Sequence, residues 1–256
     1  MKKLAISAAI ALVSTGVFAK DFSVIRFGTD PTYAPFESKA PDGKLVGFDI
    51  DLGNAICAKL HAKCVWVETA FDGMIPALKA KKFDGVLSSM NITEKREKEI
   101  AFSDKLYNAP SRLVVKKGTN LLPTVASLKG KRVGVAQGTI HEYYARAHWE
   151  PNGVTIVTYP NQDQVYLDLQ SGRLDGSLQH AIEADVGFLK TARGHDFTFS
   201  GPALNDPKTL GTGSAVGLRK EDNELREAIN KAIDGIIKDG TYKKIEQKYF
   251  AFDMYN

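Results

Sequence analysis

The feature that most constrains this chain is a segment that occurs twice. Residues 78–88 read LKAKKFDGVLS and residues 169–179 read LQSGRLDGSLQ. Each ends a helical pattern in basic residues, passes through an apolar-Asp-Gly turn and opens a short strand. Earlier in each half, Arg26-Phe27-Gly28 and Arg132-Val133-Gly134 begin comparable strands. Two such units predict two similar α/β lobes; chance likeness between helix–turn–strand units is the alternative.

The rest of the chain has the same alternation. Val24–Thr29, Cys64–Glu68, Phe83–Ser88, Arg132–Val135, Thr155–Tyr159 and Asp175–Leu178 read as strands. Phe48, Leu52, Ile56 and Leu60 recur at i+4 spacing and mark one helix face. Asn161 to Gln170 reads as a helix capped by Asn161, with Gly172 just past its end. This is the pattern of an α/β fold with mainly parallel sheets.

Pro202–Gly213 is rich in Gly, Pro and Asp and reads as a connector to a strand at Ser214–Leu218. A helix from Asn223 to Asp239 follows, stopped by Gly240. A second crossing near Leu106–Pro110 completes a two-stranded hinge. The expected lobes are residues 20–108 plus 208–256, and residues 109–207. Ligands in open α/β sheets sit at the carboxyl ends of strands, which brings Ser88-Ser89 and Gln179-His180 face to face across a cleft.

The N-terminus predicts export. Lys2 and Lys3 precede the apolar run Leu4–Val13, and Val17-Phe18-Ala19 supplies small residues for cleavage after Ala19. The apolar run is too short to span a bilayer, which takes about 20 residues. Residues 1–19 are therefore read as a signal peptide, the mature chain as soluble and periplasmic. Removing that peptide takes two lysines and lowers the formal charge from +4 to +2. So small a surplus, with both signs mixed, gives no reason to invoke nucleic acid. Cys57 and Cys64 read as one disulfide in an exported chain, a free buried pair being the alternative. Two cysteines without a nearby histidine pair make no zinc site, and no cofactor is expected.

Three clusters carry polar chemistry. Arg96 follows SSMNITEKR, where a strand gives way to a helix near Thr93. A guanidinium there can make a bidentate pair with a carboxylate, although beside Lys95 and Glu97 it also reads as a solvated helix residue. Ser88, Ser89 and Asn91 offer hydrogen bonds or simply form a turn. Ala136-Gln137-Gly138-Thr139 opens a helix whose amides favour an anion. Asp30, Tyr33 and Phe71 could sandwich and neutralise a cation, or the aromatics could pack as core.

Longer stretches resemble a known family. GTDPTYAPFES at 28–38, GFDIDLGNAIC at 47–57, FDGMIPALKAKKFDGVLSSMNITEKREKEIAFS at 71–103, KGKRVGVAQGT at 129–139 and DGTYKKIEQKYF at 239–250 are similar to the basic amino-acid branch of periplasmic binding proteins. These are the lysine/arginine/ornithine-, histidine- and arginine-binding proteins of ABC importers. The resemblance implies a two-lobed, type II periplasmic-binding-protein fold that closes over its ligand, and a membrane permease as transient partner of a monomer. It implies that Asp30 faces a cationic side-chain end while Tyr33 and Phe71 stack on it. Ser88, Ser89 and Asn91 would bond polar groups, Arg96 would clamp a carboxylate with the Thr139 amide, and Cys57 and Cys64 would pair.

One departure stands out. Relatives usually carry an aspartate for the ligand's α-ammonium at the position of His180, within SLQHAIEADVGFL. Glu183 and Asp185 lie further along and are not assumed to replace it. This predicts a ligand without a free α-ammonium: an opine, an N-acylated basic amino acid or a guanidino acid. The competing expectation is arginine or lysine, accommodated by a water or by His141. An enzyme on the same scaffold, like cyclohexadienyl dehydratase, and a ligand-presenting sensory module are the other classes.

Overall fold

The structure, a computed structural model, describes residues 22–255. The expected signal peptide at residues 1–19 lies outside the described residues. In chain order the strands are β1 (Val24–Thr29), β2 (Thr32–Tyr33), β3 (Glu37–Lys39), β4 (Leu45–Val46), β5 (Lys63–Glu68), β6 (Gly85–Val86) and β7 (Ala101–Phe102). They continue as β8 (Ser111–Lys116), β9 (Arg132–Ala136), β10 (Thr155–Tyr159), β11 (Gly176–His180), β12 (Phe197–Leu204) and β13 (Gly217–Leu218).

Two sheets of matching design result. One has the order β5-β1-β6-β13-β7, the other β10-β9-β11-β8-β12. In each, the first two pairings are parallel and the last two antiparallel. The repeated segments fall on β6 and β11, which hold the same place in their sheets. The expectation of mainly parallel sheets is thus corrected. The antiparallel half arises where the chain passes between lobes: β8 and β13 each enter a sheet straight after a crossing and run against its central strand.

Those crossings form the hinge. The Leu106 amide donates to Ser214 O and the Ser214 amide to Tyr107 O, both at 2.8 Å. Several expected bounds shift. The ladder at Phe83–Ser88 covers only Gly85–Val86, and that at Ser214–Leu218 only Gly217–Leu218, because Ser214 is used by isolated bridges to Asn91 and Tyr107. The connector Pro202–Gly213 is partly ordered: β12 runs to Leu204, and a short helix at Pro207–Leu210 starts under the Asp206 carboxylate.

The helix Phe48–Lys59 packs its predicted face inward, with Phe48, Leu52 and Ile56 fully buried. Phe48 meets the rings of Phe36, Tyr107, Tyr242, Tyr249 and Phe250, tying the C-terminal helix Thr241–Tyr249 to the first lobe.

Cys57 and Cys64 are bonded across the helix–β5 turn with Cα atoms 5.7 Å apart, inside the ordinary range for a disulfide. Closing a loop with a sequence separation of 7 removes unfolded-chain entropy worth about 2.5 kcal/mol. Replacing both cysteines by serine is therefore expected to lower the melting temperature by about 5–10 °C. Thermal unfolding in non-reducing buffer checks this; an unchanged midpoint would show that the bond adds nothing.

Candidate functional site

The carboxyl ends of β1, β6, β9, β10 and β11 open on one cleft between the lobes. Asp30, Tyr33, Phe71, Ser88, Ser89, Asn91 and Arg96 line its first-lobe wall, and Thr139, His141 and His180 its second. All ten residues singled out as ligand-binding candidates from the sequence thus line one cleft. Ala136, from the anion-favouring helix start, lines it too, and Thr32, Glu37, Ile140, Pro160, Asn161 and Gln162 do so without having been foreseen as ligand-binding. For Pro160–Gln162 the signal was available: they directly follow β10, a strand end like the others.

Arg96 is not the solvated helix residue that its neighbours suggested. Thr93 caps the short helix Glu94–Glu97, its hydroxyl accepting from the Arg96 amide at 3.2 Å, and this turns the guanidinium inward. The side chain is 3 % exposed. Nη1 donates to Asn91 O at 2.8 Å, Nη2 reaches across the cleft to Gly138 O at 3.1 Å, and the group lies 5.4 Å from the Phe71 ring centre. Burial pulls its pKa down to about 10, so it stays charged at neutral pH. Among the described residues no carboxylate pairs with it. A guanidinium has five N–H donors, and two are committed here to main-chain oxygens. A buried charge without a counter-ion is costly, and an anion entering the cleft would relieve that cost.

The opposite sign gathers on the same wall. Asp30 accepts from the Thr32 hydroxyl at 2.8 Å and the Phe71 amide at 3.1 Å, while burial raises its pKa above the usual carboxylate range. Its main-chain N–H donates to the Ser88 hydroxyl at 3.0 Å, which in turn donates to Glu37 at 3.0 Å. Glu37 and Asp49 are both buried and adjacent. Burial lifts Asp49 to about 6, and burial together with Asp49 lifts Glu37 well above its ordinary range, so the two share a proton near neutrality. Asp49 also accepts the Ser89 amide at 2.7 Å and the Tyr107 hydroxyl at 2.8 Å. Those bonds hold Ser89 at a φ of 50°, a left-handed conformation uncommon outside glycine.

The second wall carries no charge. His141 Nε2 lies 3.0 Å from the Ser111 hydroxyl and His180 Nδ1 lies 3.0 Å from the Tyr33 hydroxyl, the latter contact joining the lobes. The two imidazoles meet edge to face with centres 4.7 Å apart. Burial, then the positive Arg96, pulls His180 down to about 3, and burial pulls His141 well below its ordinary value, so both are neutral. Glu183 and Asp185 do not supply the missing carboxylate: neither lines the cleft, and Asp185 pairs with Lys190 at 2.6 Å. Glu183 is buried, accepts the Tyr166 hydroxyl and has no partner at its other oxygen among the described residues.

Burial raises the Glu183 carboxyl from 4.5 to about 8. The native state therefore keeps a proton that the unfolded chain gives up near 4.5, and stability from this group is full below that pH and lost as pH rises through about 8. Glu183→Gln is expected to flatten the fall of melting temperature between about pH 5 and 8. Equal slopes for variant and wild type in thermal unfolding would contradict a protonated Glu183.

Among the described residues no group of three or more His, Cys, Asp or Glu is arranged to hold a metal ion, and no helix is long and apolar enough to cross a membrane.

Comparison with known proteins gives the same answer throughout. Residues 25–252 match the family of bacterial extracellular solute-binding proteins, family 3. The histidine-binding periplasmic protein of Salmonella typhimurium is 55 % identical over 258 residues, covering 100 % of this chain and 99 % of the relative. The lysine/arginine/ornithine-binding periplasmic protein of Escherichia coli is 52 % identical over the same shares. Among solved structures, an ancestral arginine-binding protein bound to arginine superposes with a TM-score of 0.84 at 37 % identity, covering 91 % of this chain and 100 % of the other. Family match, near-complete coverage and a closed two-lobed cleft agree: this chain belongs to the bacterial extracellular solute-binding proteins of family 3.

Proposed function

We propose that this protein is the periplasmic substrate-binding subunit of an ABC importer, taking a cationic amino acid of the arginine, lysine and ornithine class or a related guanidino compound or opine without a free α-ammonium. The observation that carries this reading is the buried Arg96 guanidinium, unpaired by any carboxylate among the described residues and set in one cleft with Asp30. A ligand with a carboxylate at one end and a cation at the other answers both. The first lobe is taken as residues 20–108 plus 208–256 and the second as 109–207, a division supported by the membership of the two sheets. Closure about the Tyr107–Ser214 hinge expels water, and the closed form is handed to a membrane permease. The basic amino acids bound by the similar proteins favour the same ligand class.

Two other readings have less support. An enzyme needs an acid or base matched to the working pH. His180, at about 3, is too weak a base for that role, His141 is depressed as well, and the Glu37–Asp49 pair, which does titrate near neutrality, has its oxygens engaged by Ser88, Ser89 and Tyr107. A sensory module would use the same closed form with a different membrane partner.

The test is a thermal-shift and calorimetry panel of arginine, lysine, ornithine, histidine, a guanidino acid and an opine, with glutamine and glutamate as controls. A cationic member at about 100 times its Kd should stabilise the protein by about 2.7 kcal/mol. Binding of the uncharged or acidic controls alone would overturn the reading.

A further inference from the structure

The second-lobe wall presents a hydrogen-bond donor with nothing to bond. His180 is 2 % exposed, lines the cleft, and its Nε2 is buried without a partner among the described residues. Its Nδ1 lies 3.0 Å from the Tyr33 hydroxyl. Burial with nearby Glu183 keeps the phenol protonated. Among the described residues Nδ1 is the only acceptor within reach of the Tyr33 hydroxyl, so the hydroxyl hydrogen points at Nδ1. A neutral imidazole whose Nδ1 accepts carries its single hydrogen on Nε2. The free ring atom is therefore an N–H, and it needs an acceptor.

Its surroundings sharpen this. The acids that line the cleft, Asp30 and Glu37, both stand on the first lobe, and Glu37 is engaged by Ser88. Arg96 Nη2 bonds Gly138 O at 3.1 Å, and nearby His141 has its ring centre 4.7 Å from that of His180. His180 therefore borders the end of the cleft where the Arg96 guanidinium would hold a carboxylate. An ammonium on the adjoining carbon would face an N–H and a guanidinium and find no acid on the second-lobe wall.

We propose that His180 determines specificity at the carbon next to the ligand carboxylate, where its Nε2–H bonds an acceptor oxygen, so that the preferred ligand is a cationic carboxylic acid bearing a 2-hydroxy, 2-oxo or N-acyl group instead of a free α-ammonium. This rests on the cationic-ligand reading above and narrows it. Tyr33 acts as the positioning residue, because its hydroxyl selects the tautomer.

The test compares near-isosteres. The mature protein, freed of bound ligand by unfolding and refolding, is titrated by calorimetry with L-arginine, with 2-hydroxy-5-guanidinopentanoate and with Nα-acetyl-L-arginine. Wild type is expected to bind the hydroxy acid at least about 10-fold more tightly than arginine. His180→Asp replaces the donor by a carboxylate and should reverse that order. Arginine binding to wild type more tightly than both analogues overturns the inference while leaving the cationic-ligand reading in place. If none of the three binds, both fall. The wild-type order decides the matter even if the variant folds poorly.

Discussion

Arg96→Met should reduce ligand affinity by about 3–5 kcal/mol, a loss of a hundredfold to several thousandfold, because the ligand carboxylate would be buried without a counter-charge. The same change should leave the ligand-free protein no less stable. The Arg96 guanidinium is buried and, among the described residues, hydrogen-bonded only to the carbonyls of Asn91 and Gly138, so its removal takes away a desolvated charge rather than an ion pair. Arg96→Lys should restore little, since an ammonium cannot reproduce the flat fork that grips main chain and carboxylate together. Calorimetry on the variants, with melting curves taken without ligand, checks both parts. A variant that melts early and still binds would assign Arg96 to the fold instead of the site.

Gly187→Leu should weaken binding at least about 100-fold by blocking closure. Gly187 stands on the second lobe, in the wound segment Ala184–Leu189, and a Cβ built there lies 2.7 Å from the Ala34 carbonyl oxygen of the first. That contact tolerates no side chain and exists only while the lobes are together. The nearest neighbour of that Cβ on its own lobe is Glu183 Oε1, at an ordinary contact distance of 3.7 Å, so the ligand-free melting temperature should hardly move once the lobes part. The pairing of lost affinity with retained stability is the signature of a closure defect, readable by calorimetry and by small-angle scattering of the ligand-soaked variant. Unchanged affinity would mean that the bound form is less closed than this one.

Much of the architecture can be read from periodicity because local and global preferences coincide. Phe48, Leu52 and Ile56 predict a buried helix face and are buried; Val24–Thr29 and Thr155–Tyr159 are strands over those residues. Asn161 caps its helix through Gln164, and Gly240 takes a left-handed φ of 78° where the preceding helix ends. Less legible is whatever depends on the crossings. The direction of β8 and β13, and the shortness of β6 and β13, follow from where the hinge delivers the chain, which no window of sequence encodes.

The cleft divides in the same way. Residues at strand ends could be anticipated from topology, and Arg96 and Asp30 from their chemistry. Glu37 was not anticipated, since a single acid beside Ser38 and Lys39 reads as a solvated loop residue. Only the tertiary fold buries it against Asp49 and Ser88. The bond between Tyr33 and His180 joins residues 147 apart and depends on the closed state. Arg96 shows the limit from the other side: its neighbours Lys95 and Glu97 suggest solvent, and the Thr93 cap sends it inward.

The most direct trial is a crystal structure of the protein with the ligand that it carries when purified from the periplasm. The predicted result is one small molecule between the lobes, its carboxylate within hydrogen-bonding distance of the Arg96 guanidinium and its cationic end at Asp30 between Tyr33 and Phe71. A ligand seated elsewhere, or one in this cleft that leaves either Arg96 or Asp30 untouched, would contradict the account.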